Sequence, residues 1–338
     1  MTKRISLISK RLLSIIIFFS FSSISFSQIT NYPHKTDFDS WTTNTAAYNC
    51  TSDGSVSLSD GWSNITGDDF DWNVYSGATA SSNTGPSNGY GGSGNYLYIE
   101  ASSCFSNTGR ISMPDMNLSV VSDPQLLFYY HMYGANIGTL SIEVSIDNGS
   151  NWSASIWTLS GDQGNAWNLA TVDLSAYTTD TDVRIRFSGS TATDFAGDIA
   201  IDQVVVEPAK PSGLSTSNIN SSSATLNWTE NGSATSWEIE YGINGFSIGN
   251  GTVVTGISAT QYTITGLLSQ TNYDWYVRSS YSSSVKSEYA GPVNFATACG
   301  SITAPYTQDF DAATPNNGNV VCETGRQVTN QDLETMFF

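Results

Sequence analysis

The chain has 338 residues, with 12 basic against 30 acidic side chains and a formal net charge of −18 at pH 7. So acidic a surface repels nucleic acid and anionic lipid and attracts divalent cations. Aromatic residues make up 12%, too many for a disordered chain, and the abundance of Ser, Thr, Asn and Gly suits a secreted β-protein.

Lys3, Arg4, Lys10 and Arg11 precede an apolar run from Leu12 to Phe26 that ends in Ser25-Phe26-Ser27. A basic start, an apolar stretch and a small-x-small end predict a signal peptide over 1–27, cleaved before Gln28. A membrane anchor fits less well, because the run is shorter than the ~20 residues a spanning helix needs and carries five serines. No other stretch is apolar enough to insert, so the mature chain is expected to be secreted or held at the cell surface. Without the four basic residues of the leader, 8 basic face 30 acidic residues, a net charge of −22.

Residues 28–207 are expected to form the first domain, in which 28–35 are a short lead-in and 36–207 read as many short strands. Tyr96–Glu100, Gln125–Tyr130, Thr139–Ile146, Asp182–Phe187 and Ile199–Val206 are rich in β-branched and aromatic residues, and several alternate as half-buried strands do. Asp147-Asn148-Gly149 predicts a hairpin turn, since Asn-Gly tolerates positive φ. No helix is expected. An all-β sandwich of this length can bury an adequate single core. The polar stretch from Gly77 to Gly94 predicts a surface loop, where recognition usually resides.

A spaced set of motifs covers roughly residues 36–207: Gly67-Asp-Asp-Phe-Asp-Trp72, Gly85-Pro-Ser-Asn-Gly-Tyr90, Gly94-Asn-Tyr-Leu-Tyr-Ile-Glu-Ala-Ser102, Phe128-Tyr-Tyr-His-Met-Tyr-Gly134, Gly138-Thr-Leu-Ser-Ile-Glu-Val144 and Asp198-Ile-Ala-Ile-Asp202. In order and spacing the set resembles the MAM domain of meprins, neuropilins and receptor tyrosine phosphatases of the mu type. The resemblance implies an extracellular jelly-roll β-sandwich used for adhesion and assembly, without catalysis.

Residues 208–211 follow as a linker, in a Glu207-Pro-Ala-Lys-Pro211 stretch whose two prolines are expected to stop strand pairing. Residues 212–298 repeat the strand pattern over the length of an immunoglobulin-like sandwich. Strands are expected at Ser223–Trp228, Trp237–Tyr241, Gln261–Thr265 and Asp274–Arg278. Leu267, Thr271 and Tyr273 resemble the corner motif of a fibronectin type III domain, with Ser269 where that family has proline. The Tyr273 hydroxyl is then expected to bond back to the backbone. There is no Arg-Gly-Asp.

Pro305-Tyr-Thr-Gln-Asp-Phe-Asp311 echoes Pro33-His-Lys-Thr-Asp-Phe-Asp39, so residues 299–338 are expected to be the truncated start of a second jelly roll. The arrangement resembles large secreted modular proteins of Bacteroidetes-type bacteria. In an oxidising compartment the cysteines pair. Four allow three connectivities, and Cys50–Cys104 with Cys299–Cys322 is expected because each pair lies within one proposed module.

Acidic residues suggest a cation site. Asp39 matches the acidic residue that opens the MAM pattern, and Asp202 matches the first Asp of its Ile-Asp-Asp, with Gln203 in place of the second. The first and last strands of a jelly roll lie side by side, so Asp39 and Asp202 are expected to converge, with Asp68 and Asp71 as further candidates. Carboxylate and carbonyl oxygens suit structural Ca²⁺, with Na⁺ the alternative. Among the aromatics, Trp152 and Trp157 flank a loop and are candidate sugar-stacking residues, whereas Trp72 and Trp167 are expected in the core. His131 lies in an aromatic strand with no serine on a nucleophile elbow. Glu143 and Asp147 do not match the spacing of jelly-roll glycanases, so no catalytic residue is expected.

The expected function is therefore non-catalytic binding or adhesion to an extracellular protein or glycan. One alternative is the accessory region of a longer secreted hydrolase. Another is a matrix component that associates with itself.

Overall fold

A computed structural model describes residues 28–44, 56, 58–283 and 285–300, with the backbone of 321–323 and 326–328. The expected leader and Cys50 lie outside the described residues, as do the side chains of 301–338, Cys322 among them. Among the described residues no cysteine is free.

The first module has strands β1 His34–Thr36, β2 Ser63–Asn64, β3 Asn73–Ser76, β4 Asn95–Ile99, β5 Thr108–Ser112, β6 Pro124–Met132, β7 Thr139–Ser145, β8 Trp157–Ser160, β9 Asn168–Asp173, β10 Arg184–Ser190 and β11 Ile199–Pro208. They form two antiparallel sheets. The front sheet runs β3-β4-β11-β6-β9, with β1 also paired to β11, and the back sheet runs β2-β5-β10-β7-β8. The first and last strands of the module thus lie together, as the resemblance implied.

Alternation explains these elements. In β7, half-buried Thr139, Ser141 and Glu143 interleave with buried Leu140, Ile142 and Val144, the pattern of a strand with one face on the core. In β11, Ile199 and Ile201 point inward, and then the phase changes: Val204 and Val206 join the core. The register slips between Asp202, opposite Tyr129, and Val205, opposite Leu127. Gln203, at φ 49°, is the extra residue of a β-bulge, which keeps hydrophobic residues inward on both sides of it.

The core between the sheets is aromatic. Phe38, Trp41 and Trp62 contact one another edge-on, and Trp62 stacks on Phe187. Trp72 is fully buried, as expected, and its indole N–H donates to the Gly109 carbonyl at 2.9 Å. Gly189 lies so near that a Cβ there would come 2.9 Å from the Trp72 ring.

Asn148 and Gly149 have φ of 58° and 83°, as an Asn-Gly turn requires. They do not close a tight hairpin, because β7 ends at Ser145 and β8 starts only at Trp157. The Asp147 carboxylate instead folds the intervening loop by accepting from Asn151 and Ser145.

The second module contains β12 Ser212–Ser217, β13 Ser223–Thr229, β14 Trp237–Ile243, β15 Thr252–Ile257, β16 Gln261–Thr265, β17 Asn272–Ser279 and β18 Ala290–Ala296. The sheets are β12-β13-β16 and β15-β14-β17-β18, packed over Trp228, Trp237, Ile239 and Trp275. The Tyr273 hydroxyl accepts from the Leu268 N–H at 3.0 Å, so the corner forms with Ser269 in place of proline. Tyr273→Phe removes that acceptor while keeping the ring. It is expected to cost about 1 kcal/mol, read as a lower urea midpoint for the second module alone.

The junction corrects one expectation. The prolines do not stop pairing at Glu207: β11 continues to Pro208, which stands opposite Pro124, and β12 begins at Ser212. A proline at a strand terminus interrupts no internal ladder bond. The Ala209 N–H donates to the Asp123 carbonyl, the Tyr281 hydroxyl donates to the Ala209 carbonyl, and the Asn231 amide donates to the Lys210 carbonyl. The Asp123 carboxylate accepts from Ser233, and Lys35 pairs with Glu288. Within the expected third module the described residues include β19 Val321–Glu323 and β20 Arg326–Val328, which pair with each other.

Candidate cation site and binding surface

The site lies where the two ends of the first module meet. Thr36, at the end of β1, stands opposite Val204 just past the β11 bulge, and the turn that follows carries Asp37 and Asp39. One Asp39 oxygen accepts from the Asn95 N–H at 2.8 Å, and the Asn95 amide reaches the Trp41 carbonyl at 2.9 Å. Across the strands, Asp202 accepts from the Tyr90 N–H at 2.8 Å and the Gln203 N–H at 2.6 Å. Asp202 is only 2% exposed. Burial pushes its pKa up to about 7, and the neighbouring Asp39 and Asp37 carboxylates add to the rise. Three like charges, one of them buried, favour a bound cation or proton.

Asp39 and Asp202 are therefore brought together, and Asp37, two residues before Asp39 and absent from the expected ligands, lies near enough to act on Asp202. Among the described residues no three His, Cys, Asp or Glu side chains form a ready metal cage. A cation here would draw the rest of its shell from carbonyls and water, as Ca²⁺ does readily. The structure places Asp68 and Asp71 elsewhere. Asp68 accepts from the Arg110 N–H at 2.6 Å and its neighbour Asp69 from the Thr108 N–H at 2.8 Å, so this turn is fastened to β5 of the back sheet. Asp71 is buried one residue before Trp72.

The Asp39–Asp202 pair spans a loop. Residues 90–94 run between Tyr90, held by Asp202, and Asn95, held by Asp39, with Gly91, Gly92 and Gly94 all at positive φ. Tyr90 lies flat on Tyr129, with ring centroids 3.5 Å apart and the hydroxyls 2.8 Å apart. Tyr129 stands opposite Leu169 of β9. Tyr90 is 38% and Leu169 51% exposed, so an aromatic and apolar surface begins beside the carboxylates. Tyr90 is one of the aromatics that the sequence offers for sugar stacking, but its seat on Tyr129 is not legible there, because the position of Tyr90 in a polar loop says nothing of a partner on β6.

Trp152 and Trp157 are half-buried. The Arg186 guanidinium sits 4.2 Å from the centre of the Trp152 ring, and Arg186 pairs with Glu143. Trp157 packs edge-on against Phe128 at 5.3 Å. Trp167 is half-buried rather than core. It contacts Tyr96 and His131 and donates to the Asn88 carbonyl at 3.0 Å. His131 is buried among these rings with Nε2 3.1 Å from the Asn165 side-chain oxygen, and burial lowers its pKa. No helix among the described residues is long and apolar enough to cross a membrane.

These two β-sandwiches are of the kind found in extracellular modules. Residues 50–210 match the MAM domain, meprin/A5/mu, and residues 209–295 match the fibronectin type III domain. The chain thus carries a MAM domain followed by a fibronectin type III domain. It is similar to MAM domain-containing glycosylphosphatidylinositol anchor protein 1 of Gallus gallus, 35% identical over 158 residues that cover 43% of this chain and 16% of that protein. It is also similar to neuropilin-1 of Xenopus laevis, 31% identical over 145 residues, covering 43% of this chain and 15% of that protein. The chain therefore spans a small part of the length of these relatives. Among solved structures, a cleaved adhesin domain of Lys-gingipain from Porphyromonas gingivalis covers 44% of this chain and 91% of that one, at 16% identity and a TM-score of 0.32. The fibronectin type III domain of human contactin 1 covers 30% of this chain and 91% of that one, at 16% identity and a TM-score of 0.26.

Proposed function

We propose that this chain is a non-catalytic extracellular binding or adhesion protein that recognises a protein or glycan through the front sheet of its MAM domain. The observation that carries this reading is the exposed Tyr90 ring, seated on Tyr129 beside Leu169 and tied by its own N–H to Asp202. Apolar sugar faces and protein hot spots both favour such rigid aromatic anchors. The free edge of Trp152 offers a second, smaller contact.

Ca²⁺ between Asp39 and Asp202, with Na⁺ as the alternative, would order the Tyr90 loop and add its binding free energy to folding. Export through the leader, with cleavage before Gln28, and the disulfides Cys50–Cys104 and Cys299–Cys322 complete the picture of a secreted or surface-held modular protein, of the kind made by Bacteroidetes-type bacteria.

The test is a glycan array and a cell-surface pull-down with the full chain, each with and without Ca²⁺. Wild type is expected to bind in Ca²⁺, and Tyr90→Ala to lose at least about tenfold in affinity, about 1.4 kcal/mol. Trp152→Ala should lose less. Ca²⁺ at about a hundred times its dissociation constant should stabilise wild type by ~2.7 kcal/mol, and Asp202→Asn should abolish that gain. Binding that survives Tyr90→Ala but not Trp152→Ala would move the contact surface to the back sheet.

A further inference from the structure

The front sheet buries a second pair of acids, away from the cation site. Glu100 directly follows β4 and Asp198 directly precedes β11. The pairing of Ile99 with Ile199 sets these two residues side by side. Glu100 is 2% and Asp198 0% exposed. One oxygen of each is satisfied by the backbone: the Ser102 N–H donates to Glu100 at 2.9 Å and the Ala101 N–H to Asp198 at 3.0 Å. The other two oxygens, Glu100 Oε2 and Asp198 Oδ2, are buried without a hydrogen-bond partner. Two ionised carboxylates are acceptors alone, whereas a proton on one of these neighbouring acids gives the pair a donor for the orphaned oxygens.

Nothing else neutralises the pair. Among the described residues no ion pair involves either acid. The titratable groups around them are Tyr75 of β3, Tyr96 and Tyr98 of β4, and His131 of β6. Burial raises the Tyr96 and Tyr98 hydroxyls and lowers His131, so at neutral pH these three are uncharged and offer no counter-charge. Burying two unpaired carboxylates costs far more than burying a hydrogen-bonded acid pair.

The same residues hold down the loop from Gly77 to Gly94. The Asp198 N–H donates to the Thr84 hydroxyl at 2.9 Å, and the Thr79 hydroxyl donates to the Thr84 carbonyl at 3.1 Å. Ser81 and Ser102 hydroxyls meet at 2.9 Å. Directly outside lies a polar cavity of about 360 Å³, walled by Thr79, Thr84, Ser87, Tyr133 and Asn165. We propose that Glu100 and Asp198 share one proton and that this acid pair is the latch that keeps the loop, and with it the cavity wall, closed on the front sheet. The latch does not depend on what the loop or the Tyr90 surface binds.

Burial first, and the Glu100 carboxylate second, push the pKa of Asp198 up to about 8. A folded-state value above the unfolded one, about 3.9, means that the stabilisation is complete below the unfolded pKa and is lost as pH rises through the folded one. Stability contributed by this group therefore falls as pH rises towards about 8. Above about pH 8 the pair carries two like charges and the latch opens.

The test uses the full chain from about pH 6 to about pH 10. Infrared difference spectra report the protonated carboxyl, and hydrogen exchange, corrected for its intrinsic pH dependence, reports protection of residues 77–94. Wild type is expected to show one protonated buried carboxyl at neutral pH that disappears near pH 8 together with loop protection. Glu100→Gln supplies a permanent donor in place of the proton, so its loop should stay protected throughout. Asp198→Asn supplies the same donor from the opposite side if Glu100→Gln does not fold. Two ionised carboxylates at neutral pH, with a metal in elemental analysis whose chelation frees the loop, would overturn the shared proton. A carboxyl that titrates while loop protection stays unchanged would overturn the latch.

Discussion

Trp72→Ala is expected to destabilise the MAM domain by about 3–5 kcal/mol, the usual cost of deleting a buried tryptophan from a packed core. The ring reaches from the chain entering β3 in the front sheet to Gly109 and Gly189 in the back sheet. Its removal would open a void between the sheets and leave the Gly109 carbonyl without its indole donor. Its backbone is fixed as well: the Asn64 side chain accepts from the Trp72 N–H at 2.9 Å and donates to the Trp72 carbonyl at 3.0 Å. Trp72→Phe keeps part of the volume and loses the hydrogen bond, so it should cost less. Urea unfolding followed by circular dichroism should show the first module's midpoint falling while that of the second stays in place. A cost under about 1 kcal/mol would mean the core collapses around the missing ring.

Acid should unfold the fibronectin type III domain through one carboxylate. Glu238 of β14 is buried and stands opposite Arg278. It also accepts from Lys286 at 2.7 Å and from the Tyr289 hydroxyl at 2.6 Å. Burial alone would raise its pKa, yet Lys286, Tyr289 and Arg278 together hold it at about 2 against an ordinary 4.5. Because the folded value is depressed, the stabilisation is present above the unfolded pKa and lost as pH falls through the folded one. The window is about pH 4.5 down to about 2, and the loss is about 3 kcal/mol at most. Partial exposure of Arg278 and Lys286 screens the pair and moves the figure downward. Glu238→Gln should flatten this part of the pH profile and should itself destabilise the module at neutral pH. A wild-type midpoint that stays level between about pH 4.5 and about pH 2.5 would show that these bonds do not survive in solution.

Much of the fold is legible in the sequence because alternation is a local signal. β4, β6, β7, β13 and β17 all fall where hydrophobic periodicity puts them. The convergence of Asp39 and Asp202 is legible only through the resemblance, since no local pattern links residues so far apart. The bulge at Gln203 is hidden: one extra residue in a ten-residue strand leaves each half alternating correctly. Asp68 looks like a ligand in sequence, but it accepts from a β5 amide, and that choice belongs to strand pairing rather than to composition. The same holds for Tyr90, whose partner Tyr129 becomes visible only once β6 lies beside the loop. Glu100 and Asp198 each read as an ordinary polar strand end until the sheet sets one against the other.

The passage of β11 into β12 bears on how the molecule carries force. β11 is an interior strand, hydrogen-bonded to β4 and β1 on one side and β6 on the other, and it leads through Ala209 to Pro211 directly into the fibronectin type III domain. A pull on that second domain runs along β11, so its flanking ladders are loaded lengthwise and all together rather than unzipped one bond at a time. Side-chain and backbone clamps at Asp123, Lys210 and Tyr281 keep the domains from swinging before that load arrives. A protein assembled in this way would yield abruptly under tension, as a shear joint does, rather than peel open gradually.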